Sequence, residues 1–394
     1  MPVGVPNCYI FYMTSLPGAY PRRRTSSHPL RTQLCELLDI EYPILQAGMG
    51  RSRGSTTTPA LVAAVSEAGG MGCLGATGLD AAEISTAVAD IRRLTAKPFG
   101  VNLLLPARLS DVDLPREDIR ALLRREYPQH WQFVQELEQT YGLDCDQRHQ
   151  QRYAVSPTLI HQQIEAVLDE GVPVFVAGLG DPAIVVPRAR PKGMRVLGVV
   201  GGIRQADRQV AAGVDAIIAQ GAEGGGHTGT ISTFTLLPQV IDRVAPLPVI
   251  AAGGIADGRG IVAALAFGAQ GVWCGTSFLF ATEAAVFAEH RAQLSAASST
   301  DTVVSRSYTG KPSRIVRNAI VEAWAASGLD PLPMPLQGVL MDDFNAAAEA
   351  ADQHGLINSP AGQAAGMLSD HRPAREIVER LVRESVETLA RLAS

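Results

Sequence analysis

The 394-residue sequence predicts an α/β fold, a (β/α)8 TIM barrel with a helical insertion and C-terminal helices. Three observations predict it. Short apolar runs alternate with helix-patterned runs along most of the chain, as in βα units feeding a parallel sheet. Eight runs read as strands, the number that closes this barrel. Glycine-rich stretches follow several of them, on the face where such barrels place their active sites. A doubly wound sheet shares the first observation, and strand count alone does not exclude it.

In chain order, residues 43–47 read as the first strand and 59–68 as a helix, closed by Gly69-Gly70 as a C-cap. A strand at 71–76, a helix at 80–95 and a strand at 99–105 follow. Residues 107–157 break the rhythm. They are charged, aromatic-bearing and helix-prone at 119–126 and 132–141, and read as a lid or insertion. The alternation returns with a helix at 158–170, strands at 174–179 and 195–200, a helix at 203–212 and a strand at 214–220. Strands at 248–252 and 271–279 complete the set, with helices at 235–244 and 258–267 between. Residues 283–394 read as a mostly helical extension; 374–392 place apolar residues at helical spacing opposite Glu and Arg. The expected organisation is a disordered leader over 1–28 and a single domain over 29–394.

Composition narrows the function classes. With 46% hydrophobic and 19% charged residues, the chain is neither disordered nor collagen-like. Its net charge of −5 and lack of a long basic run do not suggest nucleic-acid binding; Arg22-Arg23-Arg24 is too short to count. Cys8, Cys35, Cys73, Cys145 and Cys274 are odd in number, scattered and without a CxxC pair. They argue against a disulfide framework or zinc ribbon and for a reducing, cytoplasmic setting. Cys73 and Cys274 lie in apolar runs and read as inert packing. The apolar stretch 8–13 lacks a preceding positive charge, the wrong order for a secretory signal. The uncharged stretch 260–282 reads as a buried helix then a buried strand rather than a membrane span.

The chemistry concentrates in three stretches. Residues 220–229 place His227 inside a run of glycines, whose backbone can approach a ligand closely, and a histidine there suits acid/base work near neutrality. Taken alone, the loop is as readily a tight turn with a satisfied histidine. Gly253-Gly254 and Gly275-Thr276 follow the seventh and eighth predicted strands, where barrels commonly build a phosphate site from backbone amides. Gln46 and Asn102 end strands with amides suited to a heterocycle edge, though each alone reads as a satisfied core amide. No metal site is expected. His28, His130, His149, His161, His290, His354 and His371 are scattered, without HxH or HExxH spacing, and read as surface residues. No GxGxxG opens a helix after the first strand, and no P-loop or GxSxG occurs, which disfavours a Rossmann dehydrogenase, an NTPase and an α/β-hydrolase.

Five stretches together carry a resemblance: Pro43-Ile44-Leu45-Gln46-Ala47-Gly48-Met49, Lys97-Pro98-Phe99-Gly100-Val101-Asn102, residues 219–229, residues 248–254 and Gly275-Thr276. From about Leu38 onward the sequence resembles the nitronate monooxygenase family, formerly the 2-nitropropane dioxygenases. The resemblance implies a TIM barrel with non-covalent FMN and a related branch of flavin-dependent enoyl-ACP reductases. It implies that Ala47, Gly48 and Met49 lie under the flavin ring, and that Asn102 and Gln220 bond its ring or ribityl groups. It places Gly225, Gly226, Gly253, Gly254, Gly275 and Thr276 around the FMN phosphate and its approach, with His227 as the active-site base. A weaker match at Tyr308-Thr309-Gly310-Lys311 implies that Tyr308 or Lys311 meets an anionic substrate. Three features depart from the family: Gly48 replaces its usual Pro, Gly224 its usual Ala, and the 107–157 insertion is longer than in short members.

The function expected is FMN-dependent oxidation of alkyl nitronates or nitroalkanes by O2 to a carbonyl compound and nitrite. Its partners are a small-molecule substrate and O2, without nucleic acid or membrane, and a homodimer is open. One alternative is an NAD(P)H-using reductase of an enoyl-thioester or quinone; another is a non-catalytic FMN-binding protein.

Overall fold

The computed structural model describes residues 28–51, 54–105, 115–144 and 156–394. The barrel strands are β1 (Ile44–Gln46), β2 (Gly72–Gly75), β3 (Phe99–Leu104), β4 (Val174–Gly178), β5 (Arg195–Val200) and β6 (Ala216–Gln220). After a two-residue β7 (Gly226–His227) outside the barrel come β8 (Val249–Ala252) and β9 (Gly271–Cys274), then β10 (Thr302–Ser305) and β11 (Ser313–Val316). The eight-stranded sheet runs β1-β9-β8-β6-β5-β4-β3-β2. Its ends meet at a parallel bridge between Leu45 and Met71, where the Met71 N–H donates to Ile44 O at 3.0 Å and the Gln46 N–H to Met71 O at 2.9 Å. This closes the ring and so removes the exposed sheet edge.

The strands read as continuous apolar runs because both faces are buried. With a side-chain period of two, Leu45, Val174, Val176, Leu197, Ile218, Ile250 and Trp273 point inward and pack as one cluster. Leu74, Val101, Phe175, Ile217, Val249 and Val272 point outward into the cluster formed with the helices. Leu34, Cys35 and Leu38 of the helix Gln33–Leu38 join the inner cluster. Local signals fix the helix starts. Thr58 accepts from the Leu61 N–H at 3.1 Å, Asp80 and Glu83 form a capping box, and Asp257 caps Gly258–Ala266. That last helix, followed by β9, is how the uncharged stretch folds. Among the described residues no helix is long and apolar enough to cross a membrane.

Three expectations need correction or placement. The last barrel strand ends at Cys274, not at 279. Beyond Gly275 the chain turns into the short helix Thr276–Leu279, where Ser277, Phe278 and Leu279 stay buried without strand pairing. The C-terminal region is mostly helical, as the sequence predicts, and also carries β10 and β11, an antiparallel hairpin that continues onto β7. Thr302-Val303-Val304, a β-branched run, carries that pairing. The described part of the insertion forms two helices, Arg116–Glu126 and Pro128–Thr140. They pack Ile119, Leu123, Val134 and Leu137 against Ile320, Trp324, Leu340 and Phe344 of the C-terminal region. The leader over 1–28 lies outside the described residues except for His28, whose ring meets Tyr42 edge-on at 4.9 Å.

Candidate active site

At the C-terminal mouth of the barrel lies a cavity of about 400 Å³. Ala47, Asn102, Gln220, Ala252 and Trp273, all on barrel strands or just past their ends, line it from the barrel side. Asn102 donates its side-chain amide to Val176 O at 2.9 Å. Gly48 runs so close beside it that a Cβ at 48 would stand 2.6 Å from Asn102 Cβ. Gln46 does not reach the cavity; its amide accepts from Cys73 N–H at 3.1 Å and donates to Cys73 O at 3.1 Å. It is a satisfied core amide.

His227 is set by a chain of local bonds. Gln220, at the end of β6, donates its Nε2 to the His227 carbonyl at 2.8 Å. Glu223 accepts from the Thr233 N–H at 2.9 Å and its hydroxyl at 2.8 Å, capping Thr233–Val244, whose N-cap residue Ser232 makes no side-chain cap bond. Arg314 of β11 donates Nε to Ala222 O at 2.8 Å, while β7 pairs Gly226 with Arg314 and His227 with Ser313. Gly226 takes a left-handed conformation, φ +74°, that favours glycine. The imidazole Nδ1 lies 3.3 Å from Pro312 O. Burial pushes the His227 pKa below its ordinary 6.5 and the Lys311 charge lowers it further, against the opposing Pro312 carbonyl. The ring is therefore neutral at pH 7. With Nδ1–H donated to Pro312, Nε2 carries the lone pair and is the nitrogen able to accept a proton.

The loops after β8 and β9 form the opposite rim. Gly253 and Gly254 have φ of +99° and +73°. The N–H groups of Gly253, Gly254 and Gly275 have no acceptor among the described residues, and all three glycines line the cavity. The Thr276 hydroxyl accepts from the Gly362 N–H at 2.9 Å, which leaves its own proton to donate. Met49, Gly225 and Gly226 line the same space. Among the described residues no cluster of His, Cys, Asp or Glu could hold a metal ion.

The two residues of the weaker match fall differently. Tyr308 presents its ring to the cavity, but its hydroxyl donates to Leu356 O at 2.6 Å and accepts from Asn318 Nδ2 at 2.9 Å. Lys311 is not among the lining residues; its charge reaches the site through His227. Sequence reasoning missed Arg51, Asn345 and Asn358, which also line the cavity, and assigned His290 to the surface. His290 is buried, and with Leu294 four residues on it forms the inward face of Ala288–Ala296. That i, i+4 spacing was the available signal.

Residues 31–384 match the family model described as nitronate monooxygenase. The chain belongs to this family. A Mycobacterium tuberculosis protein named as a monooxygenase (Rv1533) is 37% identical over 377 residues, 92% of this chain and 98% of that one. A Staphylococcus aureus protein named as a nitronate monooxygenase is 31% identical over 90% of this chain and 97% of its own. The crystal structure of nitroalkane oxidase from Streptomyces ansochromogenes superposes with a TM-score of 0.77 at 30% identity, covering 91% of this chain and 99% of that one. FabK from Thermotoga maritima reaches 0.72 at 32% identity, covering 92% and 98%. This nitronate monooxygenase family member is thus a flavin-dependent oxidoreductase on a TIM barrel.

Proposed function

We propose that the protein uses FMN to oxidise alkyl nitronates, or the nitroalkanes from which they derive, with O2 to a carbonyl compound and nitrite. The observation that carries this reading is His227, a neutral imidazole on the cavity wall with one nitrogen held by Pro312 and the other left to act.

The residues present fit the cofactor. The unpartnered N–H groups of Gly253, Gly254 and Gly275, with the Thr276 hydroxyl, suit a phosphate, and Gly225 and Gly226 leave room for its approach. Ala47, Gly48 and Met49 would lie under the ring system, and Asn102 and Gln220 would meet its polar edge or the ribityl chain. When bound, FMN supplies the electron-accepting centre. The chain's own part is positional and protic. His227 Nε2 takes the α-proton of a neutral nitroalkane; a nitronate arrives without it. The Tyr308 ring walls the substrate, and Lys311 holds the His227 pKa low instead of touching the substrate. The described cysteines, all free, favour a reducing cytoplasm.

Anaerobic rapid mixing of the purified yellow protein tests this. Loss of flavin absorbance with a nitronate, and none with NAD(P)H, is the expected result. Fast reduction by NAD(P)H would replace the reading with a reductase, and colourless protein would remove its cofactor step. His227→Asn separates the base from the rest: about 10²–10⁴-fold loss is expected with nitroalkane and far less with preformed nitronate.

A further inference from the structure

Among the described residues three other than glycine have a left-handed backbone: Asp39, Asp352 and Leu179, the last with φ +59°. Aspartate tolerates that conformation because its short polar side chain can bond locally, whereas leucine bears the full steric cost. Such strain persists only where the surroundings impose it. Here the chain is fixed on both sides of Leu179. The Leu105 N–H donates to Gly178 O at 2.7 Å, and Gln209 of the helix Ile203–Ala212 donates Nε2 to Gly180 O at 2.8 Å. Gly180 runs so close to the end of β3 that a Cβ there would stand 1.1 Å from the Leu105 carbonyl oxygen.

The bend redirects the side chain. Along β4, Val174 and Val176 point into the barrel, and Phe175 and Ala177 point outward among the helices. A strand continued to 179 would send Leu179 outward as well. It does not join that outer cluster; it lines the cavity with Leu104 of β3, Val199 of β5 and Leu159 of the helix Pro157–Glu170. Leu104, Leu179 and Val199 are each only half-buried, so this wall is open to a ligand. Counted either way round the ring, β4 stands four strands from β9, which puts the wall across the mouth from Gly275 and Thr276. His227 follows β6, two strands from β4. A substrate carbon at His227 therefore has the glycine rim to one side and an apolar wall to the other, and a hydrocarbon group gains by lying against the wall.

We propose that Leu179 is a specificity-determining residue: held in its left-handed bend, it closes the apolar wall and limits the length of the hydrocarbon group that a nitroalkane or nitronate extends away from His227. The proposal rests on the cavity being the site of the proposed reaction.

Leu179→Gly and Leu179→Asn test it, because both residues accept the left-handed backbone. Glycine removes the side chain, and asparagine keeps much of its bulk but makes it polar. The ratio of kcat/KM for the nitronate of 1-nitrohexane to that of nitroethane should rise at least about tenfold in Leu179→Gly. In Leu179→Asn it should fall severalfold, since the longer chain must then strip water from an amide. A purely structural role cannot move the ratio in opposite directions. Leu179→Ala keeps the strain and should melt below Leu179→Gly, the reverse of the usual order of these two residues. The proposal is overturned if both variants leave the ratio within about twofold of the parent, if both move it the same way, or if Leu179→Gly melts below Leu179→Ala. Anaerobic titration calorimetry of 1-nitrohexane and nitroethane on the protein as purified reads the same ratio as binding. Failure to turn over any nitronate would refute the proposed function, while the binding ratios of parent and variants would still decide the role of Leu179.

Discussion

Replacing Arg120 by Met tests how the insertion holds the wall of the cavity. Arg120, on the insertion helix Arg116–Glu126, is 2% exposed and donates Nε to Asp343 Oδ2 at 2.8 Å, with Nη2 bonded to the other oxygen. Asp343, 5% exposed, sits on Leu336–Ala350, the helix that lines the cavity with Val339, Asn345 and Glu349. Breaking a buried pair by removing one partner typically costs about 3–5 kcal/mol, because it strands the other charge. In Arg120→Met, Arg116 Nη2 remains 3.6 Å from Asp343 Oδ1, so the lower end, about 3 kcal/mol, is expected. In Asp343→Leu, Arg120 loses both carboxylate oxygens, and the carboxylate left to it among the described residues is Glu117, whose side chain is 62% exposed, so the upper end, about 5 kcal/mol, is expected. The double variant leaves neither charge buried alone and should recover most of the loss, to within about 1–2 kcal/mol of the parent. Urea denaturation followed by tryptophan fluorescence measures this, since Trp131 and Trp324 both belong to the hydrophobic cluster that this pair joins. Single-variant losses below about 1 kcal/mol, or a double-variant loss equal to their sum, would refute the reasoning.

Three further outcomes follow from the site. Because the base must be neutral and His227 is held below its ordinary 6.5, nitroalkane kcat/KM should fall only as pH drops through a midpoint under 6.5. Lys311→Met removes a charge that lowers that pKa, so the midpoint should move upward; a pH–rate profile showing no movement would contradict the assignment. A methyl at Gly275 would meet nothing closer than Ala47 Cβ at 3.6 Å and Met49 Sδ at 3.9 Å. Gly275→Ala should therefore keep stability within about 0.5 kcal/mol while lowering flavin affinity about tenfold, read by denaturation and flavin titration. Burial raises the thiol pKa of Cys35, Cys73 and Cys274, the last to about 12. All three should resist a thiol-specific colour reagent in the native protein and react once it is unfolded.

The barrel was legible because its information is local. Strands buried on both faces must be apolar runs, and their helices carry Thr58, Asp80 and Asp257 as start signals. Much of the cavity lining was equally readable, since Asn102 lies within β3 while Gln220, Gly254 and Gly275 sit at or just beyond strand ends, and a parallel barrel brings all those ends to one mouth. What escaped depends on contacts between distant segments. The pairing of His227 with Ser313 joins residues far apart in sequence, and two-residue β7 has no periodicity to detect. Asn345 and Asn358 look like ordinary polar residues until the C-terminal region folds over the barrel. The Tyr308 hydroxyl could not be assigned without knowing that Leu356 and Asn318 lie beside it.

The pairing of β7 with β11 also fixes an order of assembly. All eight barrel strands have been synthesised by Cys274, before either strand of the hairpin of β10 and β11. A nascent chain two residues longer holds every strand of the ring together with Gly253, Gly254, Gly275 and Thr276. It still lacks the strand against which His227 is laid and the Pro312 carbonyl that orients the imidazole. The glycine rim after β8 and β9 is thus complete in sequence before the partners of His227 are made, and the imidazole is oriented only once the later hairpin lies against the loop.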